Sequence, residues 1–513
     1  MKKILLLAFG LIHVLAFSQT QDLAALASGE HVGMNALFDE QDNLYGYVSL
    51  YSYGKSGDKS KKFEYVVLDK NLNPVANKEF EGDITAGSYM GYVDFRKKVI
   101  LRPSSIDYSK VKTSELFSPR SMEINLSNNT IQQKTYYDYD NGTFKIINQP
   151  KNWKEARKEN KEEKKAKGYN YYSTVFEIKE GGFLAIELND YGKCVNNNSL
   201  IKFDENKNEV WRYKYNTNGD KKNTEELALV EKDDKYIYFI KQKKTNDVKE
   251  FVLLVLDMKT GKEVTTKPIS GLSDDTIDNI TSFSSTTRNL DNDKTFDDKI
   301  VIVGRNYENK QGVGFARLII DKNTFDVSTK KINYTPDLSS YIPKINEFGY
   351  VERSFHLQPR DIFFLKDGSV GILLEKYKID FNYGVPKTTD LVYIFTDKDF
   401  KVKGTKIFAK EKSLSTSDYL FSQYINDGND VVFFYRDLQK DKETKEKNWK
   451  LFINTLINGT FKQEIVPISE KDSYAVIPYV GKEGYILLRE INEKEKFNKI
   501  RLERRVFPEL CQV

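Results

Sequence analysis

The chain has 513 residues, 39% hydrophobic and 13% aromatic, so it carries ample core material and its 30% of charged residues does not make it a disordered polymer. Lysine and arginine (80) nearly balance aspartate and glutamate (75), a net charge of +5 that argues against a nucleic-acid surface. Two cysteines and three histidines leave the usual zinc and serine–histidine arrangements little to work with.

The N-terminus reads Met1-Lys2-Lys3, then an apolar run over 4–17, then Ala16-Phe17-Ser18 before Gln19. That is the order of a secretory signal peptide over 1–18, with cleavage expected after Ser18. The apolar run is shorter than the roughly 20 residues a spanning helix needs, and no later segment approaches that length, so a soluble mature chain of net charge +3 is expected once Lys2 and Lys3 are removed. No cysteine stands at the cleavage point to carry lipid. The Ser18-Gln19 junction resembles those of exported Bacteroidota proteins, which implies a periplasmic, cell-surface or extracellular location.

From there a repeat runs to the end of the chain. Apolar runs that follow a charged or glycine turn occur at 44–50, 99–101, 183–188, 236–240, 300–303, 370–374, 431–435 and 485–488. These eight units have a mean spacing of about 63 residues, longer than the ~40 to 50 of compact repeats. Each run has a partner ending in a second turn, at 66–69, 122–125, 200–204, 254–257, 318–321, 392–397, 451–454 and 500–503. Five of these turns begin with aspartate (Asp69, Asp204, Asp257, Asp321 and Asp397), whose carboxylate accepts a backbone N–H two residues on. A calcium loop would need several oxygens within one short segment, so hairpin corners are expected here.

The inner runs, such as Val431-Val432-Phe433-Phe434-Tyr435, are apolar at consecutive positions, which requires cover on both faces. The strand at 209–215 alternates polar and apolar, as an outer strand does. Small sheets buried in the middle and half exposed at the rim are β-propeller blades, so the expected class is an all-β propeller of eight blades, with seven as the alternative, forming a single domain over 19–513. An outer-membrane barrel would alternate along nearly every strand, and one β-sandwich would need far fewer strands. With its processing site, the chain resembles a secreted Bacteroidota β-propeller-like protein of uncharacterised family.

Several features lie outside the repeat. A charged segment near 151–168 has Glu163 with Lys167 and Glu155 with Lys158 at helical spacing, so a solvated helical insertion is expected. The polar stretch 436–448 reads as an extended hairpin. Cys194 and Cys511 fall in units three and eight, beyond the ~7 Å Cα separation of a disulfide, and are expected to be free thiols. His31 and His356 are expected to be structural or surface residues. Tyrosines at 135–139, 169–172 and 377–383 stand beside Asp and Asn, as on sugar-binding surfaces, although strand composition alone accounts for them. Pro508 disfavours a further C-terminal strand, so residues within 21–32 are expected to complete the last unit by pairing with, or packing over, 500–506, the first unit proper beginning near Met34.

The motifs of phosphate loops, nucleophile elbows, zinc proteases and sialidase Asp-boxes do not occur. The segments Leu256-Asp257-Met258-Lys259-Thr260-Gly261 and Phe203-Asp204-Glu205-Asn206 resemble blade turns of quinoprotein-like propellers, but only Trp153, Trp211 and Trp449 are present, so the quinone is not carried over and no cofactor or metal is expected. Catalytic residues stay unassigned. The expected role is a binding or scaffold module for a protein or glycan. The alternatives are a carbohydrate-active hydrolase or lyase using loop carboxylates, and a structural part of a cell-envelope assembly.

Overall fold

A computed structural model describes residues 19–504 apart from 40–42, 59, 95–96, 107–120, 134–135, 141–142, 148–157, 159–170, 179–180, 189–196, 207, 218–219, 221, 247, 287–292, 353, 381–383, 441–444, 469–473 and 493–496. The expected signal peptide, both cysteines and most of the expected insertion near 151–168 therefore lie outside the described residues, with Lys158 alone described there, helical and exposed.

The class is all-β, and every inner run predicted from the repeat lies in a strand paired on both sides within its own antiparallel sheet. Sheet 1 comprises Glu30–Phe38, Leu44–Lys55, Ser60–Asp69 and Pro74–Asp83, and sheet 2 comprises Ala86–Val93, Val99–Ile106, Met122–Asn125 and Thr130–Gln133. Sheet 7 holds Tyr419–Ile425, Asp430–Lys440, Lys447–Ile457 and Thr460–Pro467, and sheet 8 holds Tyr474–Val480, Tyr485–Asn492, Phe497–Arg504 and the N-terminal strand Gln19–Asp22. These lie in one compact unit, which contains residues up to 136, 146–162 and 420 onward. Within it sheets 2 and 1 share a core around Leu37, Val48, Val67 and Leu101, sheets 1 and 8 one around Leu23, Tyr47, Leu487 and Leu502, and sheets 8 and 7 one around Ile486, Leu488, Phe434 and Ile453.

The second unit contains 137–145 and 163–419. Its sheet 3 is built from Tyr171–Glu177, Phe183–Leu188, Asn198–Phe203 and Glu209–Tyr215, and sheet 4 from Asn223–Lys232, Tyr236–Thr245, Val248–Asp257 and Glu263–Pro268. Sheet 5 has Asp293–Thr295, Lys299–Glu308, Gln311–Asp321 and Val327–Asn333. Sheet 6 has five strands, Tyr350–Val351, Phe355–Phe364, Val370–Asp380, Val385–Thr396 and Val402–Phe408. Sheets 3 to 6 pack in succession through three apolar clusters. The periodicity argument holds at residue level: Asn198–Phe203 is buried throughout, while Glu209–Tyr215 buries only Trp211 and Tyr215.

The aspartates stand at hairpin corners, and four of them show the bond to the N–H two residues on. Asp69 Oδ1 accepts from Asn71 N (2.7 Å), Asp257 Oδ1 from Lys259 N (3.1 Å), Asp321 Oδ1 from Asn323 N (2.8 Å) and Asp397 Oδ1 from Asp399 N (2.9 Å). Hydrogen bonds from Thr324, Asn323 and, at the other corner, Lys401 hold the carboxyls of Asp321 and Asp397 below the usual carboxylate range. At the fifth corner Asp204 Oδ1 accepts from Asn208 N four residues on (2.8 Å), as Asp69 Oδ1 also does from Asn73 N (2.9 Å).

The last sheet is completed from the N-terminus as expected, with Gln21 paired to Ile500, and the strand that does so, Gln19–Asp22, begins two residues earlier and is registered as Gln19↔Leu502 through Asp22↔Lys499. Glu30 and His31 pair instead with Ser52 and Tyr51, so the first sheet starts at Glu30, four residues before Met34. Leu23 supplies the packing part of that expectation, being fully buried against sheets 1 and 8. One element is not predicted by the repeat, the helix α1 (Asp274–Thr286). Its signals are local: Ser273 Oγ accepts from Thr276 N (3.2 Å), Asp274 and Asp275 occupy the first turn, and Ile277 and Ile280 face the core of sheets 4 and 5.

Candidate functional site: an aromatic ladder beside a buried ion network

Sheet 6 departs from the other sheets in having an extra strand and a long entry segment. Between Asn333, at the end of sheet 5, and Phe355, the chain makes a kinked turn at Tyr334–Leu338 and then an irregular path to Tyr350–Val351. Tyr334, Leu338, Ile342, Ile345 and Val351 anchor the path in the core shared by sheets 5 and 6. Gly349 (φ 76°) lies against Tyr334, where a Cβ would come within 2.6 Å of the ring, so no side chain fits there. The same segment exposes Tyr341 (39%), Phe348 (36%) and Tyr350 (46%). Burial at one set of positions and exposure at the other makes this a rigid presenter of aromatic rings.

Register then lines up a row across three strands. Tyr350 pairs with His356, His356 with Tyr377, and Tyr377 with Thr388. Directly opposed residues share a face of the sheet, so the rings meet edge to face: Tyr350 to His356 at 6.0 Å and 71°, His356 to Tyr377 at 5.0 Å and 73°. Burial lowers the pKa of His356 and the nearby positive charge of Arg305 acts in the same direction, against an opposing hydrogen bond to Gln358. The imidazole is therefore neutral at neutral pH and serves as one donor and one acceptor.

One step along the same strands lies a buried ion network. A bulge between Pro359 and Asp361 turns Arg360 so that its Nε donates to Glu375 Oε2 at 2.6 Å. Lys410 Nζ sits 3.1 Å from Glu375 Oε1, 2.6 Å from Asp418 Oδ2 and 3.0 Å from Thr388 Oγ1. The side chains of Lys410 and Glu375 are wholly buried and that of Asp418 is 2% exposed. Burial pushes the Glu375 carboxyl above its ordinary range, against the pull of Arg360 and Lys410. Beside this, Lys376 Nζ bridges Asp390 (2.8 Å) and Glu352 (2.9 Å). Two carboxylates do converge here, as a hydrolase would require. Both are sealed from solvent by the lysine between them, so their role is to lock the 410–418 segment to the sheet.

Of the three tyrosine runs, those at 135–139 and 169–172 have no described side chains, and in 377–383 Tyr377 alone among the tyrosines is described, with its ring in the ladder. His31 is structural, as expected, and His356 belongs to the site. Arg360, Glu375 and Lys410 were not legible as a group. The available signal was a charged residue, Glu375, directly after the apolar run 370–374, which in a strand covered on both faces implies a buried partner.

No family model matches the sequence, and no curated protein matches it either. Solved structures do align with it. They include the β-propeller domain of the Trilobed protease from Pyrococcus furiosus (TM-score 0.32, 10% identity, covering 85% of this chain and 94% of that one). The polysaccharide lyase Uly1 aligns with TM-score 0.33 and 10% identity over 94% of this chain and 91% of that one. The GH93 α-L-arabinofuranosidase of Fusarium graminearum aligns with TM-score 0.26 and 10% identity over 64% and 91%. At such scores these are loose likenesses of chain path, and what each neighbour acts on stays with that neighbour.

Proposed function

We propose that this protein is an exported β-propeller binding module whose sheets are eight blades, and that it holds a glycan against the Tyr350–His356–Tyr377 ladder. The observation that carries the reading is the ladder itself: three rings set by strand register, with Tyr350 46% exposed and standing on a segment pinned into the core. Sugars offer apolar C–H faces to aromatic rings and hydroxyls to neutral donors and acceptors, and His356 and Gln358 supply the latter. Rings held in place before binding lose little freedom when a ligand arrives. Export is supported by the order of residues 1–19. The propeller is supported by eight sequential antiparallel sheets whose neighbours share cores within each unit.

The test is a glycan panel assayed for binding and for turnover on the mature protein, with Tyr350→Ala and Tyr377→Ala alongside. Binding that both substitutions weaken supports the reading. Turnover of any glycan would replace it with a carbohydrate-active enzyme, and a panel with no binder at all would refute it.

A further inference from the structure

We propose that the ligand at this ladder is an anionic saccharide, one bearing a carboxylate or sulfate ester, and that Arg305 is the residue that recognises its charge; this rests on the glycan reading above.

Arg305 lies near the end of Lys299–Glu308 in sheet 5 and is held from behind. Gly304 lets α1 approach so closely that a Cβ would fall 2.8 Å from Ile280 Cγ1, and Asn279 Oδ1 on that helix accepts from Arg305 N at 3.3 Å. The half-buried guanidinium reaches across to sheet 6, where Nη2 donates to Gln358 Oε1 at 2.9 Å. Gln358 is two residues along the strand from His356. Arg305 also acts electrostatically on both His356 and the buried Tyr334, so its charge sits beside the ladder.

Three partly buried arginines find carboxylates, Arg212 with Glu187 and Glu209, Arg360 with Glu375, and Arg501 with Glu490 and Glu503, while Arg489 is taken up by His31 and Asn498 in a closed knot and the buried Arg317 by Gly368 O. Arg305 has a neutral amide instead, and among the described residues no carboxylate lies within ion-pairing distance of it. A guanidinium carries five N–H donors and matches the oxygens of a carboxylate or sulfate two at a time. Partial burial raises the strength of such a pair over that in open water, and the Gln358 bond already fixes the orientation of the fork. An acidic peptide would satisfy the charge but would make no use of three rings set in a row. A charged sugar uses both.

The full mature chain is titrated calorimetrically with a uronate-containing oligosaccharide, a sulfated one, their uncharged counterparts and an acidic peptide. An anionic sugar should bind about tenfold or more tightly than its uncharged counterpart, a preference that falls with salt, and the better of the two anionic arms identifies the group. Arg305→Gln should erase the preference, and Arg305→Lys should retain part of it. Tyr350→Ala should weaken charged and uncharged sugars alike. Equal binding of charged and uncharged sugars, or a preference surviving in Arg305→Gln, overturns the inference and leaves the glycan reading standing. Binding of the acidic peptide alone overturns both.

Discussion

The two histidines of the described chain occupy opposite kinds of site. His31 lies in a closed polar knot: Nε2 meets Ser49 Oγ at 3.0 Å, and Nδ1 faces Arg489 Nη2 and Asn498 Nδ2, each at 3.2 Å. Ser49 continues to the hydroxyl of Tyr51, which donates to Leu23 O at 2.6 Å, so the knot ties the N-terminal segment to sheets 1 and 8. His31 and Ser49 have the outward form of a base and a nucleophile, but Ser49 is fully buried and the far nitrogen of His31 faces a cation where a triad has a carboxylate. His356 is flanked by rings on both sides, one of them open to solvent, and has an arginine nearby that holds no described carboxylate. A fully satisfied polar cluster specifies structure, whereas a half-satisfied one at a rigid surface leaves something for a ligand to complete.

The largest expected effect breaks the closed side. Removing residues 19–26 strips the fourth strand from sheet 8, leaves Tyr51 without its Leu23 acceptor and uncovers the apolar edge beneath. Burial of Leu23 alone is worth about 2–5 kcal/mol, so the loss in denaturant unfolding should be at least about 4 kcal/mol. An unchanged midpoint would show that the N-terminal strand is an appendage.

A smaller effect tests the His31 knot by pH. Burial, with Arg489 acting in the same direction, lowers the His31 pKa from 6.5 to about 4. The unfolded chain therefore takes up this proton more readily than the folded one between those values. Stability should fall as pH drops through 6.5, level off below about 4, and lose about 3 kcal/mol in total from this group. His31→Gln should flatten that part of the profile; an identical slope in wild type and variant would show that the ring is not held neutral.

The smallest effect on stability belongs to the open side. Tyr350→Ala should shift the unfolding free energy by no more than about 0.5 kcal/mol, since the ring is 46% exposed and the segment's anchors are elsewhere. A loss comparable to that from the N-terminal deletion would place Tyr350 among the structural residues and sharpen the comparison against its role in binding.

The eight runs, the strands that follow them and the aspartate corners were legible in the sequence, because these depend on neighbours within a few residues and on burial of consecutive side chains. The sequence also announced that residues near the N-terminus complete the last sheet, since Pro508 left few other candidates, though the strand that does so begins at Gln19. Helix α1 is signalled by Ser273, Asp274 and Asp275, but its apolar residues are too few to stand out as a periodic stripe. Tertiary structure alone decided which charges met. Glu375, Lys410 and Asp418 are brought together by a bulge and a returning loop, and Tyr350, His356 and Tyr377 by strand register, where a shift of one residue would send each ring to the opposite face. Arg305 carries the same charge in the sequence as Arg212 or Arg501; only packing determines that they reach carboxylates and that it reaches an amide, because the sign of a side chain says nothing about what lies across the next sheet.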